Sequence, residues 1–136
     1  MLLSLGVSSC KKTTTTNPAN VLEQYFDANI LNRNFIVNLA TDHSTDITAN
    51  YNGYTFKLIK TDYYHGPISV AFGTNMFAGT WSCNDDYSKL IINLPSTPSI
   101  FAFLTREWRF TSKNIPQLEF APWGSTEPVV LHILQQ

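Results

Sequence analysis

The chain has 136 residues, a length that fits one domain able to bury roughly two thirds of its unfolded surface without a staple or a metal. Charged residues make up only 14% and the net charge is -1, which provides no basic patch for a phosphate backbone and argues against nucleic acid as a partner. Aromatic residues reach 13%, and together with many Ser, Thr and Asn they suit a β domain outside the cytosol.

The chain opens with the short apolar run Met1 to Val7, which leads into Val7-Ser8-Ser9-Cys10. An aliphatic residue, two small residues and a cysteine in that order resemble the lipobox of bacterial lipoproteins. The resemblance implies that the Cys10 thiol is diacylated, that cleavage falls just before it, and that the freed amine is usually acylated too. Two or three acyl chains hold a protein on a membrane where a single chain would not. Residues 1–9 are then a lipoprotein signal segment. Such segments carry a basic start, and no Lys or Arg precedes Cys10, so the natural chain is expected to begin upstream. Residues 10–17 become the lipidated cysteine and a tether, since Lys11 to Asn17 is polar and lacks apolar periodicity. The competing reading is an ordinary cytosolic N-terminus with an incidental cysteine, and only under it does a Cys10–Cys83 disulfide stay open. With Cys10 lipidated, Cys83 reads as a small buried hydrophobe. No other apolar run is long enough to span a bilayer.

Residues 18–136 form the domain. Asn17-Pro18 has the pattern of an N-cap followed by proline at the first helical position. Val21, Leu22, Tyr25, Phe26, Ile30 and Leu31 then recur at helical spacing, which predicts an amphipathic helix over 18–32. Its apolar stripe must bury against one end or face of a sheet, or else dock on another protein. From Asn34 the period becomes two. Strands are expected over 35–39, 53–60 and 68–72, with a polar loop over 41–52 and a turn over 62–67.

The stretch from Phe77 to Leu94 is the best-specified hairpin of the chain, with Phe77, Trp81, Leu90, Ile92 and Leu94 facing a core and Asp85-Asp86 at its tip. Pro95 and Pro98 end its second strand. Residues 99–105 lack period-two alternation, so they are expected to form a helical turn that plugs Ile100, Phe101, Phe103 and Leu104 into the core. Strands over 107–111, 115–120 and 129–134 complete the count, with a turn over 122–126. Eight short strands at near-regular spacing predict an all-β fold, an antiparallel barrel or a sandwich.

Three pieces narrow that choice. Gly53-Tyr54-Thr55-Phe56, the Gly79-Thr80-Trp81-Ser82 hairpin with Asp85-Asp86 and Lys89-Leu90, and the apolar turn leading into Glu107-Trp108 resemble, in this order, the lipocalin-like lipoproteins common in Bacteroidetes. The likeness runs from about Phe35 to the C-terminus. It implies an eight-stranded antiparallel lipocalin-like barrel with a short N-terminal helix, and no catalytic residues. Three departures stand beside it. Asn34-Phe35 occupies the place of the family's Gly-x-Trp element, and the helix is longer than the family's lead-in. Tyr87 stands where the family has a hairpin glycine; because a bulky residue at positive φ costs about 1 kcal/mol, the left-handed position is expected at Asn84 or an aspartate.

Candidate sites are few. Asp85-Asp86 reads as Asx-turn chemistry rather than half of a carboxylate site. His43, His65 and His132 share no metal-ligand spacing, and no metal or cofactor is expected. Aromatic residues are the one enriched resource. Tyr51, Tyr54, Tyr63, Tyr64 and Trp123 fall in or near loops, where several could ring one barrel mouth. Tyr63, Tyr64 and Trp123 are the preferred ligand-binding residues because polar turn residues flank them. The functional expectation is a non-enzymatic, lipid-anchored binding protein of the cell envelope, holding a small apolar or glycan ligand inside the barrel or at its mouth. The alternative is an interaction lipoprotein with a filled barrel that meets a protein partner through the helix or loops. The anchor has a direct test: a Cys10→Ala protein is expected in the soluble fraction after a high-salt wash, and one still found with membranes contradicts lipidation at Cys10.

Overall fold

The structure, a computed structural model, describes residues 20–136; Cys10, the tether and Asn17-Pro18 lie outside the described residues. The helix is α1, Val21–Asn29, with Asn20 as N-cap. The Asn20 side chain accepts from the Glu23 amide at 2.8 Å, and Glu23 accepts from the Asn20 amide at 3.0 Å. This reciprocal pair satisfies two of the orphan donors of the first turn. The helix ends earlier than the apolar periodicity suggests because Asn32 turns left-handed, at φ 60, and donates its amide to Leu58 at 2.7 Å. Ile30 and Leu31 are therefore buried by the turn that follows the helix.

Eight antiparallel strands follow: β1 (Asn34–Asp42), β2 (Tyr54–Leu58), β3 (His65–Phe72), β4 (Asn75–Cys83), β5 (Lys89–Asn93), β6 (Glu107–Asn114), β7 (Gln117–Pro122) and β8 (Val129–Gln135). Each pairs with its neighbour in sequence, and β8 pairs back onto β1 from Val129↔Asp42 to Gln135↔Phe35, so the sheet closes. The expected eight-stranded antiparallel barrel is the fold. A two-residue strand, Thr45–Asp46, adds to β1 outside the ring.

The closure is uneven. β1 and β2 share only Asn34↔Lys57 and Phe35↔Phe56 before they part. On the other side, His132 faces Leu39 while Ile133 faces Val37, leaving Asn38 as a bulge. The bulge shifts the inward set of β1 from Phe35 and Val37 to Ala40. The gap between β1 and β2 is filled by a 3-10 turn, Thr48–Tyr51, within the stretch expected to be a polar loop. Thr48 Oγ1 accepts from the Ala40 amide at 2.9 Å, and the buried Tyr51 donates its hydroxyl to Ile100 O at 2.8 Å.

One end of the barrel carries α1 and the loops 59–64, 84–88 and 115–116; the other carries the loops 43–53, 73–74, 94–106 and 123–128. At the helix end Phe26 plugs the opening. Its ring stacks on Tyr87 at 4.3 Å between centroids and meets Trp81 and Phe110 at 6.1 Å each. At the loop end a short helix α2, Phe101–Leu104, buries Phe101, Phe103 and Leu104 as anticipated.

The Gly-Thr-Trp hairpin is explained by close contacts. A Cβ on Gly79 would lie 2.0 Å from Asn93 O across the β4–β5 pair, so only glycine lets those strands approach. Trp81 is fully buried, with its indole N–H donating to Ile59 O at 2.7 Å. Leu90 and Ile92 are buried as expected, while Phe77 and Leu94 are partly buried against the same core.

The expectation at the hairpin tip is corrected. Tyr87 itself takes the left-handed position, at φ 55, and is buried. Stacking against Phe26 and Tyr64, a hydroxyl bond to Tyr63 O, and a carbonyl that accepts from Lys113 Nζ offset the local strain. Asp86 makes the expected Asx-type turn, accepting from the amide and hydroxyl of Ser88.

Phe26→Ala should cost about 3–5 kcal/mol in chemical denaturation, while Val21→Ala at the exposed start of α1 should stay within about 0.5 kcal/mol. A loss below about 1 kcal/mol for Phe26→Ala would mean that α1 does not belong to the folding unit.

Candidate functional site

The barrel interior is nearly full. An apolar void of about 30 Å³ lies inside the barrel, with a lining that includes Phe35, Phe56, Leu58, Leu90, Phe120 and Leu131. Sites for small organic ligands usually offer roughly 300–1,000 Å³. The void is thus room for a water-sized guest with no polar atom to hold it. The inward positions of the strands carry large side chains, and both ends are covered by aromatic residues.

The three preferred residues do not share one mouth. Tyr63 and Tyr64 lie in the β2–β3 loop at the helix end, and Trp123 lies in the β7–β8 turn at the loop end. Tyr64 is a strut. Its ring stacks on Tyr87 at 5.1 Å, its hydroxyl donates to Glu23, and its carbonyl accepts from the Cys83 amide at 2.8 Å. The Glu23 carboxylate raises the Tyr64 hydroxyl pKa above its ordinary value. Tyr63 accepts the Tyr87 hydroxyl on its carbonyl, and Lys60 Nζ lies 4.1 Å from its ring centre. Lys60 in turn pairs with Asp27 of α1 at 3.0 Å. Both tyrosines fasten the helix to the barrel.

Trp123 differs. Its ring is 37% exposed, whereas Trp81 and Trp108 are buried. The Trp123 amide donates to Glu107 O at 2.9 Å, which fixes the start of the turn. Lys89 Nζ lies 4.8 Å from the indole centre and pairs with Glu107 at 3.0 Å. Beside the indole is an open depression of about 420 Å³ lined by Arg109, Trp123, Gly124, Ser125 and Thr126. Strand alternation builds it: Trp108 and Pro122 point inward, so Glu107, Arg109, Ala121 and Trp123 share the outer face. Gly124 holds φ 66, and a side chain there would meet nothing within 4 Å, so the space over the turn is clear.

Another exposed aromatic residue, Phe72, sits elsewhere on the loop-end rim against the partly buried Tyr54. Tyr54 and Phe72 stack at 4.4 Å, Phe101 meets Tyr54 edgewise at 5.9 Å, and Phe72 is 40% exposed. Phe72 closes β3 just before the Gly73-Thr74 turn, and the β2–β3 pairing, which sets Tyr54 opposite Phe72, brings the two rings together.

The histidines lie apart, each beside an acid. His43 bonds Asp42 at 2.7 Å and approaches Glu127 at 3.7 Å; His65 lies 2.9 Å from Asp62; His132 lies 3.8 Å from Glu119. Among the described residues no three His, Cys, Asp or Glu side chains cluster to hold a metal ion. Cys83 is half-buried on the inner face of β4, and burial pushes its thiol pKa well up, which disfavours the thiolate.

No family model, no curated protein and no solved structure matches the chain.

Proposed function

We propose that the chain is a non-enzymatic binding module of the cell envelope, a lipocalin-like lipoprotein anchored through Cys10 that takes a small glycan on its outer surface at the Trp123 depression. The observation that carries this reading is the contrast between a filled interior, with about 30 Å³ free, and an exposed indole over an open depression of about 420 Å³. Indole faces stack on the apolar face of a sugar ring, and the hydroxyls of Ser125 and Thr126 can exchange hydrogen bonds with sugar hydroxyls. An apolar ligand inside the barrel would need Phe101 or Phe26 to leave buried positions.

Docking on a protein partner is the second reading. The filled interior favours it, but the helix stripe does not: Phe26 and Ile30 are fully buried, and of the large apolar residues of α1 only Val21 and Leu22 stay exposed.

A thermal-shift panel of oligosaccharides and fatty acids separates these readings. A ligand at about tenfold above its Kd adds about 1.4 kcal/mol, a rise of roughly 3–6 °C in Tm. The rise is expected with a glycan, to be lost in Trp123→Ala, and to be absent with fatty acids. A melting temperature unmoved by every glycan contradicts the proposal.

A further inference from the structure

The charges around Trp123 point to the kind of sugar. Arg109 projects from the outer face of β6, opposite Ala121 on β7 and Lys89 on β5. It is exposed and lines the depression, and among the described residues no hydrogen bond, ion pair or ring contact occupies its guanidinium. Its neighbours are matched. Lys89 is paired with Glu107 at 3.0 Å, and Glu127 of the same turn lies 3.7 Å from His43 and outside the depression's lining. The depression thus combines an unmatched planar fork of donors, an indole and two hydroxyls, with no carboxylate in its lining.

Resting on the reading of Trp123 as a glycan platform, we propose that the depression selects sugars bearing a carboxylate, with the sugar ring on Trp123 and the carboxylate on Arg109. The guanidinium fork matches a carboxylate with two parallel hydrogen bonds, which a neutral hydroxymethyl group at the same place cannot accept. Ser125 Oγ accepts from the Glu127 amide at 3.1 Å and keeps its hydrogen free to donate toward the ring hydroxyls.

Calorimetric titration of residues 20–136 with tetragalacturonate, maltotetraose and citrate tests this. The wild-type protein should bind tetragalacturonate at least about tenfold more tightly than maltotetraose. Arg109→Gln should erase that preference, Arg109→Lys should restore part of it, and Trp123→Ala should weaken both sugars. Equal affinity for the two sugars, an unchanged preference in Arg109→Gln, or citrate binding as tightly as tetragalacturonate overturns the acidic-sugar assignment alone. Binding of neither sugar overturns the glycan platform as well. Arg109 is solvent-exposed, so the variants should keep the wild-type Tm, and that is the check that lost binding is not lost folding.

Discussion

The contact on which the rest of the molecule depends is the stack of Phe26 on Tyr87. Tyr87 sits at φ 55, a conformation that a bulky side chain adopts only when its surroundings hold it there. Here its ring lies between Phe26 and Tyr64, its hydroxyl reaches Tyr63 O, and its carbonyl takes the Lys113 ammonium. Four separate parts of the chain thus meet at one residue: α1, the β2–β3 loop, the tip of the β4–β5 hairpin and the end of β6. The helix is part of the barrel's closure, and the exposed apolar surface on it shrinks to its first turn.

That closure shapes what the barrel can do. An eight-stranded ring is near the size at which side chains fill the interior or leave room for one ligand. In this chain the inward positions carry Phe35, Phe56, Trp81, Trp108 and Phe120, and α2 adds Phe101 and Phe103 from the loop end. Burial of Tyr51 itself pushes its hydroxyl pKa up to about 12, so it remains a neutral donor to Ile100 O and ties the 3-10 turn to the segment before α2. The proposed binding therefore falls to the outer face, where polar and aromatic groups are exposed without repacking of the core.

Much of this was legible in local sequence. Period-two alternation located all eight strands, and the break of that period after Pro98 located α2, because both signals depend only on which neighbours point the same way. The role of Gly79 was half legible: the Gly-Thr-Trp order marked a hairpin, but the approach of Asn93 O that requires glycine depends on the strand pairing. The helix end and Tyr87 were misread because each is decided by a distant partner, Leu58 O for Asn32 and Phe26 for Tyr87. Of the candidate site, only Trp123 was legible. Tyr63 and Tyr64 carry the same turn chemistry in sequence, yet the loop holding them folds under α1, where the rings become fasteners. Arg109 carried no local signal. It gains meaning from the β6–β7 register that sets it on one face with Trp123 and from the pairing of Lys89 with Glu107, which leaves it unmatched.

The central claim is that this barrel is closed to guests inside and binds on its outer face. Methyl and indole NMR spectra of residues 20–136, recorded with saturating tetragalacturonate and then with decanoate, test it most directly. The claim predicts that the sugar acid moves the Trp123 indole signal while the methyls of Leu58, Ile68, Leu90 and Leu131 hold still, and that decanoate moves neither. Decanoate shifts concentrated in those interior methyls, with Trp123 unmoved by the sugar acid, would contradict it.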